Sequence, residues 1–223
     1  SYAMQWLASG MAPVVPGRGN WVGWGLDTRH DLTRTNTLLI APQFDAHRAS
    51  NWNGPFSREG WWRLWLQELL EEALASRIGP HTIDDIASIT LVGSSIGGYV
   101  VEGFLQRSGL ADRVRNVVLL DAFYDGESTY AAWLARGTPA APRRFVSVHG
   151  GLAVTRRHAS NMITLVRARG ITDIRTDPPG SIADAIRTHR VVTLVSGAEH
   201  IGMALLYYPK VLSALALPPL PEQ

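Results

Sequence analysis

The sequence predicts an α/β protein built on a mostly parallel β-sheet of about six or more strands, with helices on both faces. Two observations predict it. Short β-branched runs alternate with segments of helical period, the pattern of a parallel sheet flanked by helices, and each run leads into a turn-rich loop. The chain has 223 residues, 46% of them hydrophobic, with no linker-like break. That is enough for one substantial core, so residues 1–223 are read as a single domain.

The predicted strands are, in order, Met11–Val15, Asn36–Ala41, Ala87–Val92, Val114–Leu120, Arg144–His149 and Arg190–Ser196. The clearest helix lies in "SREGWWRLWLQELLEEALASRI", where Trp62, Trp65, Leu66, Leu69, Leu70 and Ala73 follow the 3.6-residue period and Gly79 with Pro80 ends it. On this reading Trp61, Trp62 and Trp65 are packing residues. Further helices are expected over 98–106, 128–135, 157–169 and 203–215. The stretch 124–142 is long enough for a small cap at most. The proline-rich end, residues 218–223, is expected to trail along the surface.

Between the third strand and its helix lies "TLVGSSIGGYV", Thr90–Val100. A serine hydroxyl is a weak nucleophile unless it is exposed beside a base and close to donors for an oxyanion. A strand-to-helix turn with the spacing G-x-S-x-G provides that exposure, the glycines making room where the two backbones crowd. Gly93, Ser95 and Gly97 have this spacing. For Ser94 the position two before is the branched Val92, so Ser94 is a spacer and Ser95 the candidate nucleophile.

From about Met11 to Leu217 the order of parts resembles the α/β-hydrolase superfamily. The pieces that carry the resemblance are "VVPGRGNW", "TLLIAPQFD", "GSSIGG", "VVLLDAFYD" and "SGAEHIGM". In that superfamily they correspond to an oxyanion loop after an early strand, a further strand, a nucleophile elbow, an acid-bearing strand end and a histidine loop after the last strand. The resemblance implies a three-layer sandwich and a cofactor-independent serine hydrolase working through Ser, His and Asp.

His200 follows the last predicted strand in a Gly-flanked loop and comes last in chain order, as Ser…Asp…His requires, which makes it the candidate base. The other histidines, His30, His47, His81, His149, His158 and His189, are less well placed. The loop where most of the superfamily carries its acid, "HGGLAVTRR", contains neither Asp nor Glu. A variant arrangement puts the acid at the end of the preceding strand, where Asp121 follows an apolar run. Asp125 and then Glu127 are the alternatives, Glu199 lying too close to His200 in sequence. A helix-capping role is the competing reading of Asp121. For the oxyanion the resemblance implies the backbone N–H groups of Ile96 and Arg18. Pro16-Gly17 stands where His-Gly is common, and Gln43 is the fallback donor.

Other classes are disfavoured. Cysteine is absent, which removes disulfides, thiolate nucleophiles and zinc-thiolate sites. Asp45 and His47 lack the further ligands a metal site needs, so no metal is expected. The net charge is +2 with 18% charged residues, short of a nucleic-acid-binding profile. Lys210 is the only lysine, an arginine preference that carries no phosphate-binding inference. Neither a phosphate-binding G-x-x-x-x-G-K-[ST] nor a dinucleotide G-x-G-x-x-G after a strand is present. No stretch approaches 18 uninterrupted apolar residues, so no transmembrane segment is expected. The expectation is a soluble chain, cytoplasmic in preference to a processed secreted form.

The expected function is cleavage of a carboxylic ester or thioester of a small acyl substrate through an acyl-enzyme. Trp21, Trp24 and Trp52, in loops near the predicted carboxyl edge of the sheet, are candidates for an apolar pocket or for core packing. The alternative is a catalytically silent member that binds a small ligand or partner in the same cleft.

Overall fold

The computed structural model describes residues 26–42, 54–177 and 180–219. In chain order the protein forms helix α1 (Leu26–Asp31) and helix α2 (Trp61–Glu68), which runs on through a π-helical stretch (Leu69–Leu74) into a last helical turn (Ala75–Ile78). Strand β1 (Ile89–Ser94), α3 (Gly97–Arg107), β2 (Val114–Leu120), α4 (Glu127–Ala135) and β3 (Arg144–His149) follow. The rest comprises α5 (Ala153–Ala168), β4 (Ile174–Thr176), α6 (Ile182–Thr188), β5 (Val191–Val195) and α7 (His200–Ala214). The five strands make one sheet in the order β1-β2-β3-β5-β4, every pair parallel.

The inner strands β2, β3 and β5 are largely buried on both faces, and their side chains divide by alternation. Val117, Leu119, Phe145 and Val191 meet a core built with α2, α3, α4 and α5. Val118, Leu120, Val146, Val148 and Val192 meet a second core built with α6 and α7. Burying each such side chain is worth about 1.5–3 kcal/mol, so the sheet is the middle layer onto which both helix sets are held. Within α4, which lies in the stretch 124–142, Tyr130, Ala131, Trp133 and Leu134 are buried in the first of these cores.

Several expectations need correction. The described residues contain five strands rather than six or more, and the pairing is all parallel. The strand expected over Met11–Val15 lies outside the described residues. Asn36–Ala41 is not a strand. Leu39 and Ile40 pack on opposite cores, as in extended chain, but the backbone is tied elsewhere: the Asn36 N–H donates to Pro218 O at 2.7 Å, and Thr35 bridges Pro219. The short edge strand β4 was not expected, nor was α6, although Ser181 caps that helix by accepting from the Ala183 N–H.

Helix α2 departs from the 3.6-residue period in an instructive way. Trp62, Leu66, Leu69 and Leu70 are buried, whereas Ala73 is exposed and Leu74 packs inward. A π-helical turn holds more than four residues, so it moves the inward position one residue along. Trp62 packs on Phe56 (ring centroids 4.2 Å apart) and Phe104 (5.0 Å). Trp61 is 39% exposed and lies under the Arg58 guanidinium, so it does not pack the core.

One core residue is unusual. His149 ends β3 with its side chain buried, and neither ring nitrogen has a hydrogen-bond partner among the described residues. Burial pushes its pKa down from 6.5 to about 4, against the opposing pull of Asp121 and Asp177. In the unfolded chain the imidazole takes up its proton near 6.5, and in the fold only near 4. The stability this residue permits is therefore full above about pH 6.5 and is lost, by about 3 kcal/mol, as the pH falls toward 4. The expected outcome is a urea midpoint that drops between pH 7 and pH 4.5 in the wild type and drops much less in His149→Leu. Equal drops in the two proteins would contradict this.

Candidate active site

The parallel sheet brings its carboxyl-terminal strand ends to one edge, where ligands commonly bind in open α/β sheets. Strand β1 runs two residues further than expected, through Ser94, so that Ser95 is itself the turn. Its φ is +52°, a left-handed conformation rare for a residue with a side chain. Asp121, directly after β2, has a φ of +49°. Such conformations cost on the order of 1–3 kcal/mol each and persist only where the surroundings enforce them.

Here the neighbouring strand enforces them. The Ser95 N–H donates to Leu120 O at 3.4 Å and the Asp121 N–H to Val148 O at 2.7 Å. At the next position the Ser196 N–H donates to His149 O at 2.7 Å. Each turn is thus hooked to the end of the adjacent strand. The loop after β5 is braced further, because Ser196 Oγ accepts from the Ala198 N–H at 3.0 Å and from the Tyr207 hydroxyl at 2.9 Å. That loop delivers His200 as the first residue of α7.

The three side chains meet. His200 Nδ1 lies 2.7 Å from Asp121 Oδ2, and His200 Nε2 lies 2.8 Å from Ser95 Oγ. A neutral imidazole that donates from Nδ1 to a carboxylate has only a lone pair at Nε2, so its open nitrogen accepts the serine proton. The other carboxylate oxygen, Asp121 Oδ1, accepts from the Gly150 N–H at 2.9 Å and from the Thr155 hydroxyl at 3.0 Å. Asp121 is fully buried, whereas the His200 side chain is 35% exposed. Burial works against a charged Asp121, but the His200 ring, the Gly150 N–H and the Thr155 hydroxyl outweigh it and hold its pKa below the ordinary carboxylate value. The carboxylate is ionised at neutral pH. An arrangement of this kind can draw the proton from a hydroxyl and stabilise the imidazolium that results.

Ile96 caps the N-terminus of α3, so its N–H has no acceptor inside the helix and stands at the positive end of the helix dipole. Arg18 and Gln43, the expected second donor and its fallback, lie outside the described residues. So do Asp45, His47, Trp21, Trp24 and Trp52. Among the described residues no group of three His, Asp or Glu side chains could hold a metal ion, and no helix is long and apolar enough to cross a membrane.

The remaining candidates are placed elsewhere. Asp125 Oδ1 accepts from the Gly126 N–H, and Glu127 accepts from His158 and Asn161. Glu199 is the residue before α7. Asp121 does not cap a helix of its own. His30 meets Tyr208 and the Thr37 carbonyl, His81 the Ile78 carbonyl, and His189 Thr188 and the Ala185 carbonyl.

The glycines also sort differently from the expectation. A Cβ on Gly93 would lie 2.9 Å from Gly97 O, a contact that real Cβ atoms essentially never make. Among the described residues a Cβ on Gly97 would meet nothing within 4 Å. Gly98, by contrast, has its α-carbon against the Ala122 carbonyl, and a Cβ there would collide with Ala122 O. The crowded pair is therefore Gly93 and Gly98. Two contributors had no separate assignment from sequence: Gly150 and Thr155. Gly150 sits directly after a predicted strand, which was a usable signal, whereas nothing marks Thr155 out of its helix.

Neither a protein-family model nor a curated protein matches the chain. The crowding yields a direct expectation. Gly98→Ala should lower the thermal midpoint sharply or abolish soluble expression, while Gly97→Ala should leave the midpoint within a few degrees of the wild type. Thermal melts of the two variants side by side check this, and equal effects would contradict it.

Proposed function

We propose that the protein is a serine hydrolase of the α/β-hydrolase type that cleaves a carboxylic ester or thioester through an acyl-enzyme. The observation that carries this reading is the unbroken hydrogen-bond chain from Ser95 through His200 to the buried, ionised Asp121. Ser95 Oγ attacks the acyl carbon as its proton passes to His200 Nε2, and the carbonyl electron pair moves onto oxygen. Asp121 holds the ring in the accepting tautomer and stabilises its cation. Collapse of the tetrahedral adduct breaks the bond to the leaving group, which takes the proton back from His200. Water then repeats the sequence on the acyl-enzyme. The Ile96 N–H is the backbone donor aimed at the oxyanion, a group of a kind worth about 2.7–4 kcal/mol.

The apolar side chains of Ile96, Leu152 and Val195, 38%, 40% and 44% exposed, stand on segments at the same edge of the sheet. They favour an apolar acyl group over a charged one. With 4-nitrophenyl butyrate as substrate, Ser95→Ala should reduce turnover to background, and Asp121→Asn should lower kcat by about 10⁴-fold, since the wrong tautomer then faces the serine. Wild-type turnover in Ser95→Ala would exclude the nucleophile. A loss smaller than tenfold in Asp121→Asn would exclude the acid.

A further inference from the structure

The loop between β3 and α5, residues 150–152, carries no Asp or Glu of its own, yet it closes around the carboxylate that stands one strand away. The end of β3 holds Asp121 twice: the Asp121 N–H donates to Val148 O, and Asp121 Oδ1 accepts from the Gly150 N–H at 2.9 Å. Gly150 fits between the acid and the histidine loop, since a Cβ there would lie 2.8 Å from Asp121 Oδ2 and 3.3 Å from the Ala198 carbonyl. The second donor to Oδ1 is the Thr155 hydroxyl, at 3.0 Å from the first turn of α5. Among the described residues Oδ2 is then left to His200, at 2.7 Å.

Thr155 opens the inward stripe of α5, which continues through Ala159, Met162 and Val166 at the spacing of one helix face. A hydroxyl fully buried in such a stripe is unfavourable unless it is bonded. Two acceptors are in reach, Asp121 Oδ1 and the Leu152 carbonyl at 2.9 Å. The hydroxyl has one proton to give, and the ionised carboxylate is the stronger acceptor. A bond to Leu152 alone would make Thr155 a helix-end residue, whereas the bond to Asp121 makes it part of the site. Both side chains are without solvent contact, so bulk water does not replace this donor when it is removed.

Resting on the hydrolase reading above, we propose that Thr155 is a positioning residue, whose hydroxyl holds Asp121 Oδ1 so that Oδ2 stays turned toward His200 while the serine proton is transferred. Two donors on separate segments, the Gly150 N–H and the Thr155 hydroxyl, pin one oxygen and keep the carboxylate from turning about its Cβ–Cγ bond. The first donor belongs to the backbone and survives any substitution there that fits. Thr155 is the side chain through which the β3–α5 segment acts on the acid.

Thr155→Val keeps the branched shape and removes the donor. With 4-nitrophenyl butyrate, kcat on the alkaline plateau should fall about tenfold with KM within about threefold of wild type, the size expected for one hydrogen bond to a charged group. The acid limb of kcat/KM should move up by about one pH unit, because a carboxylate that loses a donor, and the ring bonded to it, both take up a proton more readily. His149 and Tyr124, the other titratable groups that feel the Asp121 charge, stay neutral through the neutral range, the first with its pKa lowered to about 4 and the second with its pKa raised from 10. Thr155→Ser returns a hydroxyl and should bring kcat and the limb back toward wild type. Should Thr155→Val not fold, Thr155→Cys, a weak donor of similar size, carries the same comparison and should move the limb the same way. An acid limb that stays in place when the hydroxyl is lost, or that Thr155→Ser does not restore, while hydrolysis still requires Ser95, would overturn this role and leave the hydrolase reading standing. A wild-type protein with no Ser95-dependent hydrolysis would overturn both.

Discussion

The candidate site depends on the registration of parallel strand ends. Ser95 and Asp121 both adopt a left-handed backbone, and each N–H is captured by a carbonyl at the end of the next strand, Leu120 O for Ser95 and Val148 O for Asp121. Without that capture neither conformation would outlast its cost, and the two side chains would point along their strands instead of meeting. The same geometry explains the spacing of the crowded glycines. Gly93 clears the turn itself, and Gly98 lets α3 settle against the Asp121 loop. Sheet, turn and helix are therefore one mechanical unit, and the His200 loop is hooked into it by the Ser196 N–H.

Electrostatics follows from this scaffold. A carboxylate without solvent contact is unfavourable unless donors replace its hydration. Among the described residues Asp121 has three: the His200 ring, the Gly150 N–H and the Thr155 hydroxyl. They fix its charge and its orientation together, and the ionised group then sets the tautomer of His200. Gly150 is constrained twice, since a Cβ there would lie 2.8 Å from Asp121 Oδ2. His149, one residue earlier, is buried on the same strand end without hydrogen-bond partners among the described residues. The site is thus bordered by a side chain that resists protonation.

Much of this was legible in the sequence because local signals and fold agree. The runs at Val114–Leu120 and Arg144–His149 were read at their observed bounds, being apolar and closed by turns. Ser95, Asp121 and His200 were each marked by position after a strand. What was not legible is what depends on packing between distant segments. The extended stretch after Thr35 has a strand's composition, but its backbone is taken by the segment at Pro218 and Pro219. The choice between Gly97 and Gly98 needs the position of Ala122, and the role of Thr155 needs the folded loop. The π-helical turn in α2 is a further case, since a period cannot announce its own interruption.

The most direct test is the site of covalent modification by a fluorophosphonate at neutral pH, read by mass spectrometry. A nucleophile activated by His200 and Asp121 should take up one phosphonyl group per folded chain, on Ser95, and none once the protein is denatured. Folded protein that stays unmodified at Ser95, or that carries the group on a different residue, would contradict the account.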